Sequence, residues 1–182
     1  MSRFPIPASR DDAPEASHAI LDAVAGRLGF VPNLHRLLSM SPAVLAAYSG
    51  LEATLSTTLD ATTRHGISLA VSEANDCAYC LSAHTFLAAT AGAMTPEEIA
   101  LNTKGCSGDP RRDAALVFSR AVVATRGKVA DDDLAAVREA GFTDAQIVEI
   151  VALSAQVVLT NFMNNVANSD LDFPVAEPVG TV

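Results

Sequence analysis

The sequence has no tryptophan and few aromatic residues of any kind, 5% of its 182 positions. Since 49% of the chain is nonetheless apolar, its core must be built from Ala, Val, Leu and Ile, a mixture that suits closely packed helices. Cations are scarce too: 12 Lys and Arg stand against 21 Asp and Glu, a formal net charge of −9. Nucleic acids and anionic membranes both select cationic surfaces, so neither is expected as a partner. Residues 1–13 contain no apolar run of the kind a secretory signal needs. The longest candidate membrane run, Ile150 to Leu159, is interrupted by Ser154 and Gln156 and is too short to span. A cytoplasmic location is therefore expected. Cysteine is sparse and odd in number, three in all, which does not make a structural disulfide framework; in a reducing compartment a C-x-x-C reads as redox or metal chemistry. Strand alternation, internal repeats and a dividing linker are all missing.

What is present is helical punctuation. Residues 1–13 read as an extended arm docked on the body or on a neighbouring subunit, and residues 14–182 as one all-α domain. Pro14 suits the first turn of a helix carrying Ile20, Leu21, Val24 and Leu28, with Gly29 as its stop. Pro32 opens a short helix and Ser41-Pro42 another, while Asp60 is placed to cap the helix through Ile67, Leu69 and Val71. Thr95-Pro96-Glu97-Glu98 marks a brief helix, Asp109-Pro110 a longer one, and Asp131 is expected to cap the next. Thr143-Asp144-Ala145-Gln146 fits a capping box for a long final helix. Its apolar face is predicted to hold Ile147, Ile150, Val151, Val158, Phe162 and Val166, with Asn161, Asn164, Asn165 and Asn168 on the polar side. The architecture this implies is a single helical bundle with a long C-terminal helix.

The densest chemistry lies in Glu73-Ala74-Asn75-Asp76-Cys77-Ala78-Tyr79-Cys80-Leu81-Ser82-Ala83-His84. On a helix running from about Cys77 to Ala91 and stopping at Gly92, at about 100° per residue, Cys77, Cys80 and His84 share one face. Cysteines three apart have Cβ atoms roughly 5–6 Å apart, so a modest adjustment of the first turn lets the sulfurs meet. A thiolate, not a thiol, is the nucleophile. The helix N-terminus beside Cys77 favours negative charge, and His84 lies one turn beyond Cys80, so both sulfurs are expected to be activated. Glu73, four residues before Cys77, is a candidate to orient an imidazole or carry protons onward.

A C-x-x-C alone is weak evidence, because a buried free cysteine packs as a small hydrophobe; the histidine on the same face turns the reading toward function. Tyr79 reads as core or interface, Cys106 as incidental, and His18 and His35 as ordinary surface or packing residues. A second reading stays open: Cys77, Cys80 and His84, with His65 from the preceding helix, make a Cys2His2 set suited to zinc, in a metal-binding or structural oligomeric helical module.

The stretch resembles the E-x-N-x-C-x-Y-C-x-x-x-H core of the alkylhydroperoxidase D-like proteins of the carboxymuconolactone decarboxylase superfamily. Val31-Pro32-Asn33-Leu34, Ser41-Pro42, Asn161-Phe162-Met163-Asn164-Asn165 and Asp172-Phe173-Pro174 extend the likeness over most of the chain. The resemblance implies an all-α fold of helical hairpins assembled as trimers or hexamers, no cofactor, and reduction of organic hydroperoxides or of a peroxiredoxin's disulfide. It makes Cys80 the attacking thiolate, Cys77 the thiol that resolves the sulfenic acid into a Cys77–Cys80 disulfide, and His84 the proton relay. A thioredoxin-like or lipoyl dithiol would then reopen the bridge. Many members carry a glutamate twelve residues before the first cysteine; here that position is His65, so the relay acid is replaced by His65 or supplied by Glu73. Asp76 stands where glycine usually follows the motif asparagine. The decarboxylase branch generally lacks the cysteine pair, which sets lactone decarboxylation behind the redox activities.

Overall fold

The computed structural model describes residues 2–91 and 94–176, and among these every regular element is helical. A single 3-10 turn, Glu15–Ser17, leads into α1 (His18–Leu28), α2 (Asn33–Ser39), α3 (Pro42–Leu55), α4 (Ala61–Ala74) and α5 (Ala78–Thr90). The rest of the bundle is α6 (Pro96–Thr103), α7 (Pro110–Thr125), α8 (Asp131–Glu139) and α9 (Asp144–Ala167). The all-α, single-domain expectation with a long last helix is met.

The boundaries follow local chemistry. Asp60, Thr95, Asp109 and Thr143 each accept a hydrogen bond from a backbone N–H of the first turn, and Thr143 and Gln146 close the expected capping box reciprocally. Gly29 ends α1 at φ 81°, where a side chain would be strained. Two details differ from expectation. Asp131 is the first helical residue rather than the cap, which falls on Ala130; the carboxylate that reaches back to the Ala130 N–H is Asp133, at 3.2 Å. Pro14 precedes a 3-10 turn, so the α-helix proper starts later, at His18. Gly92, the expected stop of α5, lies outside the described residues; the helix ends at Thr90.

α4 is the hub, packing on α5, α6, α7 and α9. Ile67, Ala70 and Val71 of α4 join Leu116 of α7 and Ile150 of α9 in the main core, all fully buried. A second core gathers Leu21, Leu38, Leu45, Tyr48, Cys77, Tyr79, Cys80 and Phe173 around the start of α5. The N-terminal arm docks on the body: the Arg3 N–H donates to the Ala167 carbonyl at 2.7 Å, and Arg36 donates to the Ala8 carbonyl at 2.6 Å. By length and composition α9 is apolar enough to cross a membrane, longer than the interrupted run seen in the sequence, yet 44% of its most apolar window is buried in the protein. Its inner face, Ile147, Ile150, Leu153 and Val157, belongs to the main core.

Candidate active site

The α4–α5 hairpin presents the thiols. After Ala74 the chain must reverse within three residues, and Asp76 does this in the left-handed region, φ 50°, a conformation that costs an L-residue something and that glycine takes freely. Asp76 is exposed there. The Cys77 N–H then bonds back to the Ser72 carbonyl at 3.0 Å, and Cys77 becomes the N-cap of α5, its sulfur accepting from the Cys80 N–H at 3.3 Å. Both thiols are free and buried, 2% and 3% exposed.

From the opposite side, α9 reaches in with amides. Asn164 Nδ2 donates to Cys80 Sγ at 3.4 Å. Asn161 is clamped next to it, donating to Ser72 Oγ at 3.2 Å and accepting from Asn75 Nδ2 at 2.9 Å. Both asparagines are fully shielded from solvent, which reverses the expectation that they form the polar outer side of α9. Val151, Phe162 and Val166, assigned to the buried apolar face, are instead exposed. The buried residues of α9 include 147, 150, 154, 157, 161 and 164, a three–four alternation, flanked by 153, 156 and 160, that the periodicity contains. The polarity of asparagine disguised it.

These donors split the pair. Hydrogen bonding to Cys77, then to Asn161, Asn164 and Thr160, holds the Cys80 thiol below its ordinary value against the opposing effect of burial. Cys77 is pushed up, because its proton is held by Cys80 and because it is buried. The environment thus differs from the expectation that both sulfurs are activated: it favours the thiolate on Cys80, which the Asn164 amide reaches, and the proton on Cys77.

His84 lies one turn on, partly buried, with its Nδ1 shielded and without a protein partner among the described residues. Burial, and then the neighbouring His65, push its pKa down to about 4. His65 is itself held low by burial and by Arg64. The two imidazoles line a common cavity of about 190 Å³ with Tyr48 and Thr160. A second cavity of about 440 Å³ brings Cys80 and His84 together with His35, Tyr48, Tyr79 and Phe173. Glu73 is on the exposed side of the last turn of α4 and lines neither cavity; the carboxylate that lines both is Glu52 of α3, paired with Arg27 at 3.1 Å. Cys106 is exposed in the α6–α7 loop, apart from the pair. The zinc reading finds no ligand cluster: among the described residues no three His, Cys, Asp or Glu side chains are grouped so as to hold a metal ion.

Tyr79 is part of the packing, as expected; its hydroxyl accepts from the Leu34 N–H at 3.1 Å and its ring meets Phe173 edge-on. His35, expected as a surface or packing residue, is buried, 5% exposed, and also lines a cavity. No spacing rule marks it, because α2 is too short to show a periodicity.

Residues 42–116 match the model of the carboxymuconolactone decarboxylase family. A peroxidase-related protein from Ralstonia eutropha with an alkylhydroperoxidase AhpD core is 28% identical, with 94% of this chain and 92% of that one superposed at a TM-score of 0.81. A peroxidase-related protein from a Silicibacter species is 21% identical over 92% of this chain and 90% of its own, TM-score 0.80. The debrominase Bmp8 shares the fold at 20% identity, covering 93% of each chain with a TM-score of 0.78. No curated protein matches.

Proposed function

This chain belongs to the alkylhydroperoxidase D-like proteins of the carboxymuconolactone decarboxylase superfamily, and from that premise we propose that it is a thiol-dependent peroxidase or dithiol oxidoreductase working through Cys77 and Cys80. The observation that carries this reading is the asymmetry of two buried free sulfurs beside a cavity: Cys80 lines it and accepts from the Asn164 amide at 3.4 Å, while Cys77 caps the helix and accepts from the Cys80 N–H at 3.3 Å. A nucleophile and a resolving thiol need just that difference.

The Cys80 thiolate attacks the terminal oxygen of an organic hydroperoxide. The O–O bond breaks, Cys80 is oxidised to the sulfenic acid, and the alkoxide leaves. It is protonated through His84, with His65 as the next imidazole in place of the relay glutamate. The Cys77 sulfur then attacks the Cys80 sulfur, the S–O bond breaks, and the hydroxyl departs with the Cys77 proton as water, leaving a Cys77–Cys80 disulfide. A thioredoxin-like or lipoyl dithiol returns two electrons and two protons by thiol exchange. A peroxiredoxin disulfide is the alternative electron acceptor, attacked by the same thiolate. The cytoplasm, where such dithiols are kept reduced, is the compartment that fits.

Thiol counting tests the proposal. One equivalent of cumene hydroperoxide per chain is expected to remove two of the three thiols, none of them in Cys80→Ser, while Cys77→Ser should accumulate a sulfenic acid that dimedone traps. No loss in the native protein, or an undiminished loss in Cys80→Ser, overturns it. The debrominase shares only the fold at its level of identity, so it does not redirect the proposal.

A further inference from the structure

One buried group remains outside the thiol chemistry. His35 of α2 is 5% exposed, yet neither its Nδ1 nor its Nε2 has a hydrogen-bond partner among the described residues. A buried polar atom left unpaired costs on the order of 1–3 kcal/mol, and native proteins seldom tolerate two on one ring. The ring is fixed edge-on to Tyr48, with centroids 5.9 Å apart. It lines the same 440 Å³ cavity as Cys80 and His84.

We infer that His35 is a substrate-binding residue of this cavity, hydrogen-bonding the oxygen of a compact, neutral ligand with an apolar body. The inference rests on the peroxidase reading and names a substrate-binding residue for it. A cavity of this size falls within the usual range for small ligands, and its walls include Leu34, Leu87, Tyr79 and Phe173. Neutrality follows from the polar groups. Burial, and then Arg27, push the His35 pKa down to about 4, so near neutral pH the ring offers one donor and one acceptor without charge. A hydroperoxide group has the same pair, an O–H and an acceptor oxygen. Of the charges lining the cavity, Arg27 and Glu52 pair with each other at 3.1 Å, and Arg64 is engaged by the Leu59 carbonyl.

The probe is cumyl alcohol, which has the shape of cumene hydroperoxide less one oxygen and cannot oxidise a thiol. Titrated into Cys80→Ser protein by calorimetry, it is expected to bind, about tenfold more weakly after the further change His35→Leu and with affinity largely recovered in His35→Gln, which restores a donor and an acceptor. Circular dichroism melts of each variant confirm that it is folded. Equal affinity in His35→Leu, or no binding by folded Cys80→Ser protein, overturns the inference. Tighter binding of 4-isopropylbenzoate than of the alcohol overturns the neutral class and assigns the cavity to carboxylates drawn by Arg64. Because this readout involves no oxidation, it can fail while the thiol count succeeds, and the reverse.

Discussion

Asn164 shows how one side chain sets the chemistry of another. Its amide reaches Cys80 Sγ while the same nitrogen also donates to the Thr160 carbonyl at 3.0 Å, so its direction is fixed by its own helix. A carbonyl or methyl in its place offers the sulfur no proton. Asn164→Ala is therefore expected to raise the Cys80 pKa. In the pH profile of iodoacetamide alkylation the midpoint should move upward and the rate at neutral pH fall several-fold. The sign follows because the lost hydrogen bond favours the thiolate and not the thiol. An unmoved midpoint would mean that Cys77 alone sets the charge on Cys80.

Among the elements, α4 has to lie close to both α6 and α7, and Gly66 is where it does so. A Cβ there would sit 2.4 Å from Asn102 Oδ1 and 3.1 Å from Leu116 Cδ1. Asn102 cannot easily swing aside, since its amide is held by Glu98 at 2.8 Å and by the Cys106 carbonyl at 3.0 Å. Glu98 is in turn bonded to Arg112 of α7 at 2.8 Å, so a shift at Gly66 propagates through a network joining three helices. In an open helix Gly→Ala stabilises by about 1 kcal/mol. Gly66→Ala should instead cost roughly 1–3 kcal/mol, as overpacked cores do, read as a lower midpoint in urea. Because His65 is adjacent on α4, the same variant should also disturb the imidazole pair.

At the scale of the molecule, the outer side of α9 is the conspicuous surface. Val148, Val151, Leu159, Phe162 and Val166 are exposed along it. The last three, with Phe4 of the arm and Met40, border an apolar groove of about 540 Å³. We propose this face as the subunit contact of the homo-oligomer, trimer or hexamer, that the resemblance implies. A large apolar stripe on one helix is the usual mark of such a contact. Phe162→Asp places a charge on it without touching the thiols and should lower the sedimentation mass toward that of one 18.9 kDa chain. An unchanged mass would put the subunit contact elsewhere.

The sequence by itself determined the helical class, most helix starts and the residues that make up the candidate site's core, because caps, prolines and a C-x-x-C followed by a histidine are local signals carried by neighbouring residues. Asp60, Thr143 and Cys77 do in space what their spacing says. Only the tertiary structure decided which sulfur receives a distant amide, since Asn164 reaches Cys80 and Asn161 stands beside it on Ser72, each more than eighty residues away along the chain. It also turned α9 so that its amides point inward and its valines and Phe162 outward, set Glu73 apart from the site, and brought His35 to the cavity wall. The physical reason is common to all four. Proton affinity and helix orientation are set by burial and by partners from other elements, and a linear pattern does not specify where those partners lie.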